Sequence, residues 1–178
     1  MTDLQAEAGR LLEKLLPILQ EYGEPHIIGS ASMDLMAWPD VDVDVVNTGM
    51  TLEKLHRLTR TLLDEFAPVW YEAKEEVNDE GKTVWFHGME TMIGGTRWNF
   101  DIWFFDRETI DKAEAYCHTV QKAAEKDPAV RSAILTLKKD LLERGLYSFE
   151  KYTSMDVYKA VMECGIRDTE TFLKEYKK

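Results

Sequence analysis

The sequence has 178 residues, with 22 basic and 33 acidic side chains, and its formal net charge is −11. A content of 44% hydrophobic and 11% aromatic residues excludes a disordered chain, and no apolar run approaches the roughly 18 residues that a membrane span needs. The negative charge argues against broad binding of DNA or RNA, which depends on Lys and Arg at the phosphates. The first residues are acidic where a secretory signal is basic, and they predict a cytoplasmic protein.

Hydrophobic periodicity, capping residues and turn residues divide the sequence into helices and strands. In chain order, we predict a helix at 2–22, strands at 26–28 and 40–46, a helix at 51–66, strands at 69–77, 82–89 and 97–105, and helices at 106–125, 127–145, 154–164 and 168–176. Pro17 should kink or divide the first helix, because proline removes a backbone donor. The pattern predicts the α+β class, with a sheet domain at 1–106 and a helical C-terminal part at 107–178 packed on it.

The predicted strand at 40–46 reads Asp-Val-Asp-Val-Asp-Val-Val. Successive side chains of a strand point to opposite faces, so the valines enter a core and Asp40, Asp42 and Asp44 share the other face. Two carboxylates ~6.6 Å apart repel by about 2.5 kcal/mol at an effective dielectric of about 20. A divalent cation between them would convert this repulsion into attraction, and oxygen ligands favour Mg²⁺ or Mn²⁺. The alternative is an edge strand with a solvated acidic face. Asp34 and Asp40 could be further ligands, but we interpret them as loop acids.

A third carboxylate, Asp101, lies within the predicted strand at 97–105. One face of this strand is apolar, and Asp101 shares the other face with Arg97, Asn99 and Trp103. An acid in so apolar a strand is costly unless it has a partner or a metal ion. If this strand lies beside the first, the carboxylates would complete a two-metal site of the kind that serves phosphoryl transfer.

The third element is the dipeptide Gly29-Ser30, which ends a short apolar run. A glycine there lets a phosphate approach the backbone closely, and the serine hydroxyl can donate to phosphate oxygens. A lone Gly-Ser is common, and its weight comes from its position shortly before the aspartate pair.

With these three elements, the sequence resembles the nucleotidyltransferase superfamily, the polymerase-beta-like enzymes, and especially the minimal and antibiotic-modifying nucleotidyltransferases with their GrpB-like relatives. The resemblance covers about residues 24–105. It implies a mixed sheet flanked by helices and a Mg²⁺-dependent transfer of a nucleoside monophosphate from an NTP to a small-molecule or protein hydroxyl. It further implies metal ligation by Asp42, Asp44 and Asp101, which would be the catalytic residues. Gly29 and Ser30 would contact the nucleotide.

Two departures from the family pattern support an alternative function. Ala31 and Ser32 follow Gly29-Ser30, where an arginine is frequent in the family, and Val41 stands where many members have Ser or Thr. The alternative is therefore a catalytically inactive module of the same fold that binds a nucleotide or a protein partner. A third interpretation is an acidic interaction protein whose aspartates are only solvated.

Other side chains complete the set of candidates. Arg97 is the best cation on the carboxylate face and is predicted to bind the nucleotide, although an arginine on a strand is more often a surface salt-bridge partner. Arg131 and Lys138 lie on the predicted helix at 127–145. Either could reach the cleft, but we interpret both as solvated or snorkelling. Four tryptophans could stack on a base or an acceptor, although core packing is the default for each of them: Trp38, Trp70, Trp85 and Trp103.

Overall fold

The computed structural model describes residues 3–47, 49–78 and 80–176. Within these residues the helices are α1 (Asp3–Gln20), α2 (Gly29–Ser32), α3 (Leu52–Phe66), α4 (Arg107–Lys126), α5 (Pro128–Glu143), α6 (Ser154–Met162) and α7 (Thr169–Glu175). The strands are β1 (Pro25–Ile28), β2 (Asp40–Val46), β3 (Trp70–Val77), β4 (Thr83–Ile93) and β5 (Thr96–Phe105). The α+β class is confirmed, and α2 is a one-turn helix where we predicted only a turn.

The five strands form one mixed sheet in the order β1-β2-β5-β4-β3. The β2–β5 pair is parallel, whereas β1–β2, β5–β4 and β4–β3 are antiparallel. The hairpin between β3 and β4 closes at the predicted turn, where Asn78 donates from its backbone to Lys82 and Gly81 donates to Asn78. Asp79 of this turn and Thr2 of the first predicted helix lie outside the described residues. The parallel pair places β2 and β5 side by side at the centre of the sheet.

One face of the sheet is the apolar core against α1 and α3. The alternation in β5 buries Trp98, Phe100, Ile102 and Phe104 on this face. Helix α1 contributes its leucine stripe and remains one helix, so the predicted division at Pro17 is wrong, and a kink there stays a prediction. Pro17 lies in the last turn of α1, where the helix ends three residues later and little of the hydrogen-bond ladder is lost. The opposite face of the sheet therefore carries the polar residues of β2 and β5.

A second apolar core joins α4, α5, α6 and α7. Met33 and Leu35, which follow α2, belong to this helical core rather than to the sheet core. The predicted division into domains at residue 106 stays a prediction. No helix among the described residues is both long and apolar enough to cross a membrane.

Candidate functional site

Strands β2 and β5 bring three carboxylates together on the polar face of the sheet. Asp42 is the cross-strand partner of Asp101, and Asp40 is the partner of Asn99. One carboxylate oxygen each of Asp40, Asp42 and Asp101 lies within 4.8 Å of the others. The Asn99 amide donates to Oδ1 of Asp40 at 2.8 Å and orients that carboxylate. We call Asp40, Asp42 and Asp101 the carboxylate triad.

The sequence interpretation of Asp40 as a loop acid is wrong. Asp40 is the first residue of β2, and the strand pairing reaches it because the backbone of Asn99 also donates to the carbonyl of Pro39, at 3.0 Å. Pro39 therefore ends the loop without interrupting the sheet. Asp34 is a loop residue as predicted, with a left-handed φ of 55° and an ion pair to Arg131 at 2.9 Å.

Asp44 lies one pair further along β2 and is not part of the triad. Its cross-strand neighbours are His26 on β1 and Trp103 on β5. Burial raises the pKa of Asp44 to about 7, while His26 lowers it and Glu114 raises it. Asp44 still lines the same cleft as Asp42, and its role as a metal ligand stays a prediction.

The triad is held in an unfavourable electrostatic environment. Loss of solvation raises the pKa of Asp42 well above its ordinary value, and the charges of Asp40 and Asp101 raise it further. Burial, followed by the charge of Asp40, raises the pKa of Asp101 to about 6, and only the Asn99 hydrogen bond opposes this. Like charges in a poorly solvated site ionise together only when a cation balances them. The triad is therefore a candidate cation site.

Strand β1 runs into α2 through Gly29, whose φ is +67°. A Cβ at this position would overlap Oδ2 of Asp42 and lie 3.0 Å from its Cγ. Glycine is thus required twice, by its left-handed backbone and by the carboxylate packed against its Cα. Ser30 follows, with 6% of its surface exposed, and lines the cleft beside the aspartates.

Lys138 of α5 is completely buried, so its interpretation as a solvated or snorkelling side chain is wrong. Its ammonium donates to the carbonyl of Leu35 at 3.0 Å and to the Tyr158 hydroxyl at 3.3 Å, and it lies 4.6 Å from the ring centre of Trp38. Burial lowers its pKa to about 8, against the opposing charges of Asp40 and Asp42. Sequence reasoning offered a position in the cleft only as the alternative for Lys138, because α5 is apolar on two adjacent faces and no local pattern shows which one covers a polar site.

A cleft of about 430 Å³ lies between the sheet and the helical part. Its walls include all three members of the triad, Gly29 and Ser30 on the sheet side, with Trp38, Tyr147 and Tyr158 opposite. Trp38 and Tyr147 pack at a ring-centre distance of 4.2 Å.

The remaining sequence candidates lie in three different places. Trp103 lines the cleft, Trp70 lines a neighbouring cavity, and Trp85 is in the sheet core. Arg97 lines the neighbouring cavity and forms an ion pair with Glu90. Its contact with a nucleotide stays a prediction.

No family model and no curated protein matches this sequence. Solved structures do match it. A cytoplasmic RNA terminal U-transferase is similar with a TM-score of 0.60 at 17% identity, over 91% of this chain and 48% of that chain. The Cid1 poly(U) polymerase with Mg 3′-dATP bound gives a TM-score of 0.63 at 16% identity, over 91% and 50%. The mtPAP structure in complex with CTP gives 0.57 at 15% identity, over 91% and 38%.

These similarities define the class of fold. The nucleotidyltransferase-like fold predicted from the sequence is confirmed by these similarities, which concern the fold alone. The chain spans about half the length of the first two solved structures that it matches. The comparisons name enzymes that act on RNA, and they give no support to the small-molecule or protein acceptor predicted from the sequence.

Proposed function

We propose that this protein is a divalent-cation-dependent nucleotidyltransferase that transfers a nucleoside monophosphate from an NTP to an acceptor hydroxyl. The observation that carries the proposal is the carboxylate triad on two adjoining strands, beside the Gly29-Ser30 turn, in a cleft large enough for a nucleotide. The geometry supports Asp40 as the companion of Asp42 and Asp101, in the role that the sequence assigned to Asp44.

The residues of the triad fit a hard divalent cation. They offer oxygen ligands, one from each carboxylate within 4.8 Å of the others, as Mg²⁺ and Mn²⁺ prefer. Burial and mutual repulsion raise the pKa values of Asp42 and Asp101 even though the nearby Lys138 lowers that of Asp42, which supports a need for further positive charge at the site. When bound, the cation would supply charge neutralisation for the carboxylates and the phosphates together.

In the proposed reaction, the acceptor oxygen forms a bond to the α-phosphorus of the NTP. The bond from that phosphorus to the bridging oxygen breaks, and pyrophosphate leaves with the electron pair. The hydroxyl proton passes to an oxygen of Asp101, which acts as the general base. The protein contributes mainly position and charge, as phosphoryl transfer requires.

The other walls of the cleft would bind the nucleotide. Ser30 and the backbone beside Gly29 can donate to phosphate oxygens, and Lys138 is a buried cation close enough to Asp40 and Asp42 to affect their ionisation. The paired rings of Trp38 and Tyr147 offer an aromatic wall for the base.

The experiment is pyrophosphate release from each labelled NTP with Mg²⁺, in the presence of small hydroxyl compounds and an oligoribonucleotide. We expect release that Asp42→Asn and Asp40→Asn both reduce by about 100-fold or more, because each removes a charge from the triad. Asp111→Asn, on the exposed surface of α4, is the control and should leave the rate unchanged. An Asp42→Asn variant with the rate of the unaltered protein contradicts the proposal.

A nucleotide-binding module without turnover is the second candidate. It is favoured by Ala31 and Ser32, which stand where an arginine is frequent in the superfamily. Thermal stabilisation by Mg²⁺-NTP without any pyrophosphate release would support this candidate. Saturating ligand at ~100 times its Kd adds about 2.7 kcal/mol to the free energy of unfolding, which melting curves resolve easily.

A further inference from the structure

A second cavity, of about 710 Å³, opens beside the cleft of the carboxylate triad. The two share Asn99, Asp101 and Trp103 in their walls, so they are continuous at the third carboxylate. We call the second cavity the aromatic groove, after the side chains of Trp70, Phe86 and Trp103 that line it.

Aromatic rings converge on the strand position next to Asp101. The cross-strand partner of Asp101 on β4 is Gly88. A Cβ at Gly88 would lie 2.7 Å from Cζ of Phe86 and 3.1 Å from the Trp70 ring, so both rings lean over this glycine. Phe86 also packs on Trp103 at a ring-centre distance of 4.4 Å. Since directly opposed residues on neighbouring strands are about 5 Å apart, this aromatic surface borders Asp101 itself.

The cations of the groove are already neutralised. Lys74 forms ion pairs with Glu72 and Glu76, and Arg97 forms one with Glu90. Asp101 adds a further negative charge at the inner end. Binding of a polynucleotide backbone depends on Lys and Arg that replace counterions at its phosphates, and the groove does not offer such a track within the described residues.

We propose that the aromatic groove is the acceptor site, and that the acceptor is a compact alcohol or phenol with a planar or apolar face and no negative charge. This inference rests on the proposed function. The flat face of the acceptor stacks on Trp70 and Phe86, which places its hydroxyl beside Asp101. There the hydroxyl gives its proton to Asp101 as its oxygen bonds to the α-phosphorus and pyrophosphate leaves.

A polynucleotide acceptor is the rival, since the similar solved structures include an RNA terminal U-transferase and a poly(U) polymerase. A nucleobase would also stack on Trp70, because stacking tolerates any aromatic face. The difference lies in charge: a polynucleotide brings phosphates to a groove whose cations are paired, whereas a neutral or cationic acceptor does not. The test therefore varies the charge of the probe and leaves its ring unchanged.

The probes are tyramine, tyrosol and 4-hydroxyphenylacetate, which share a phenol ring and differ in charge. Binding is measured by saturation-transfer NMR titration of the full chain with Mg²⁺. We expect tyramine to bind about tenfold more tightly than 4-hydroxyphenylacetate, with tyrosol between them. Trp70→Ala should weaken tyramine about tenfold, since it removes the stacking face. Val69→Ala, its exposed neighbour outside the groove, is the matched control and should change nothing.

Three results would overturn the inference: absence of saturable binding by all three probes up to about 10 mM, tighter binding of the anionic probe, or unchanged affinity in Trp70→Ala. An oligouridine that binds more tightly than tyramine and competes with it would favour the polynucleotide. Failure here is distinct from failure of the proposed function. If Trp70→Ala transfers to an oligouridine at an unchanged rate, the aromatic groove is not the acceptor site, but the proposed reaction stands. If the probes bind but no NTP releases pyrophosphate, the groove still binds small aromatic compounds, but the proposed reaction is wrong.

Discussion

The carboxylate of Asp42 occupies the space that a side chain at position 29 would need. Gly29 follows β1 as the first residue of α2, and Asp42 on β2 is the cross-strand partner of Ile28 on β1. The overlap with Oδ2 of Asp42 leaves no room for a Cβ at position 29. The Gly29-Ser30 turn and the Asp42 carboxylate therefore fix each other's position through a contact between the Gly29 backbone and the Asp42 side chain. Substitutions at either position should affect the other.

Gly29→Ala should destabilise the fold and abolish the stabilisation by Mn²⁺. The left-handed φ costs about 1 kcal/mol for alanine, and displacement of the Asp42 carboxylate adds about 1–3 kcal/mol. Urea unfolding with and without Mn²⁺ measures both effects.

Gly165→Ala is the matched control for this substitution. Its φ of +69° is nearly the same, and a Cβ there meets nothing within 4 Å. Gly165→Ala should lower the free energy of unfolding only by the backbone contribution, and Mn²⁺ should still stabilise this variant. Equal losses in the two variants would show that the contact with Asp42 is unimportant.

Asp101→Asn should stabilise the fold at pH 8 in the presence of a chelator. The folded-state pKa of Asp101, about 6, is raised above its unfolded value of about 3.9, so its contribution is favourable at low pH and is lost as the pH rises through 6. A shift of about two units corresponds to about 1–3 kcal/mol at pH 8. The free energy of unfolding should rise by this amount in the variant at pH 8 and change little at pH 4.

The control for Asp101→Asn is Asp64→Asn, at an exposed ion pair of α3, which should change stability by less than about 0.5 kcal/mol at either pH. Added Mg²⁺ should make the unaltered protein more stable than Asp101→Asn, because only the unaltered protein retains the carboxylate triad. A variant that is less stable at pH 8 with chelator would mean that repulsion at the triad is negligible.

Lys138→Met should weaken binding of Mg²⁺-NTP by about tenfold or more while the fold is retained. Methionine approximates the shape of the lysine stem among Trp38 and Tyr158, but it removes a positive charge that acts on Asp40 and Asp42. A unit charge ~8 Å from another is worth about 2 kcal/mol at an effective dielectric of about 20. Isothermal titration calorimetry gives the Kd.

Lys139→Met is the control, because its side chain lies on the exposed face of the same helix. It changes the net charge of the protein equally and should leave the Kd unchanged. The same loss of affinity in both variants would indicate an effect of total charge rather than of the buried ammonium.

His87 should make the fold sensitive to mild acid. It is fully buried on β4, and its Nδ1 shares a hydrogen bond of 2.5 Å with the Tyr71 hydroxyl. Burial lowers its pKa to about 4 from 6.5, so the unfolded chain binds the proton first and stability falls as the pH drops from 6.5 to 4. The loss is about 3 kcal/mol.

Asp44 and Asp101 have raised pKa values, so their contributions to stability increase as the pH falls over part of this range and oppose that of His87. The prediction therefore concerns the difference in stability between a His87 variant and the unaltered protein. Urea unfolding gives the free energy of unfolding of His87→Phe and of the unaltered protein at each pH. Between pH 7 and pH 4, the difference between the two should change by about 3 kcal/mol in favour of the variant. A constant difference across this range would show that His87 is protonated as easily in the folded state.

The sequence predicts local features of this fold well and non-local ones poorly. The alternation of β2 and β5 correctly assigns Asp42, Asp44 and Asp101 to the polar face, because strand periodicity is local. The pairing of Asp42 with Asp101 is a parallel contact between distant segments, and no local pattern encodes it. The burial of Lys138 likewise depends on how the helices pack on the loop after α2.

That loop has one more consequence. Met33 and Leu35 are buried among the C-terminal helices, and the Leu35 carbonyl accepts from Lys138, so the Gly29-Ser30 turn is anchored in the helical layer as well as in its own sheet. A truncated chain of residues 1–106 would expose both side chains and release the turn, and it is not expected to be an autonomous nucleotide-binding unit. An exchange of helical layers between proteins of this fold would have to transfer the matching loop with them.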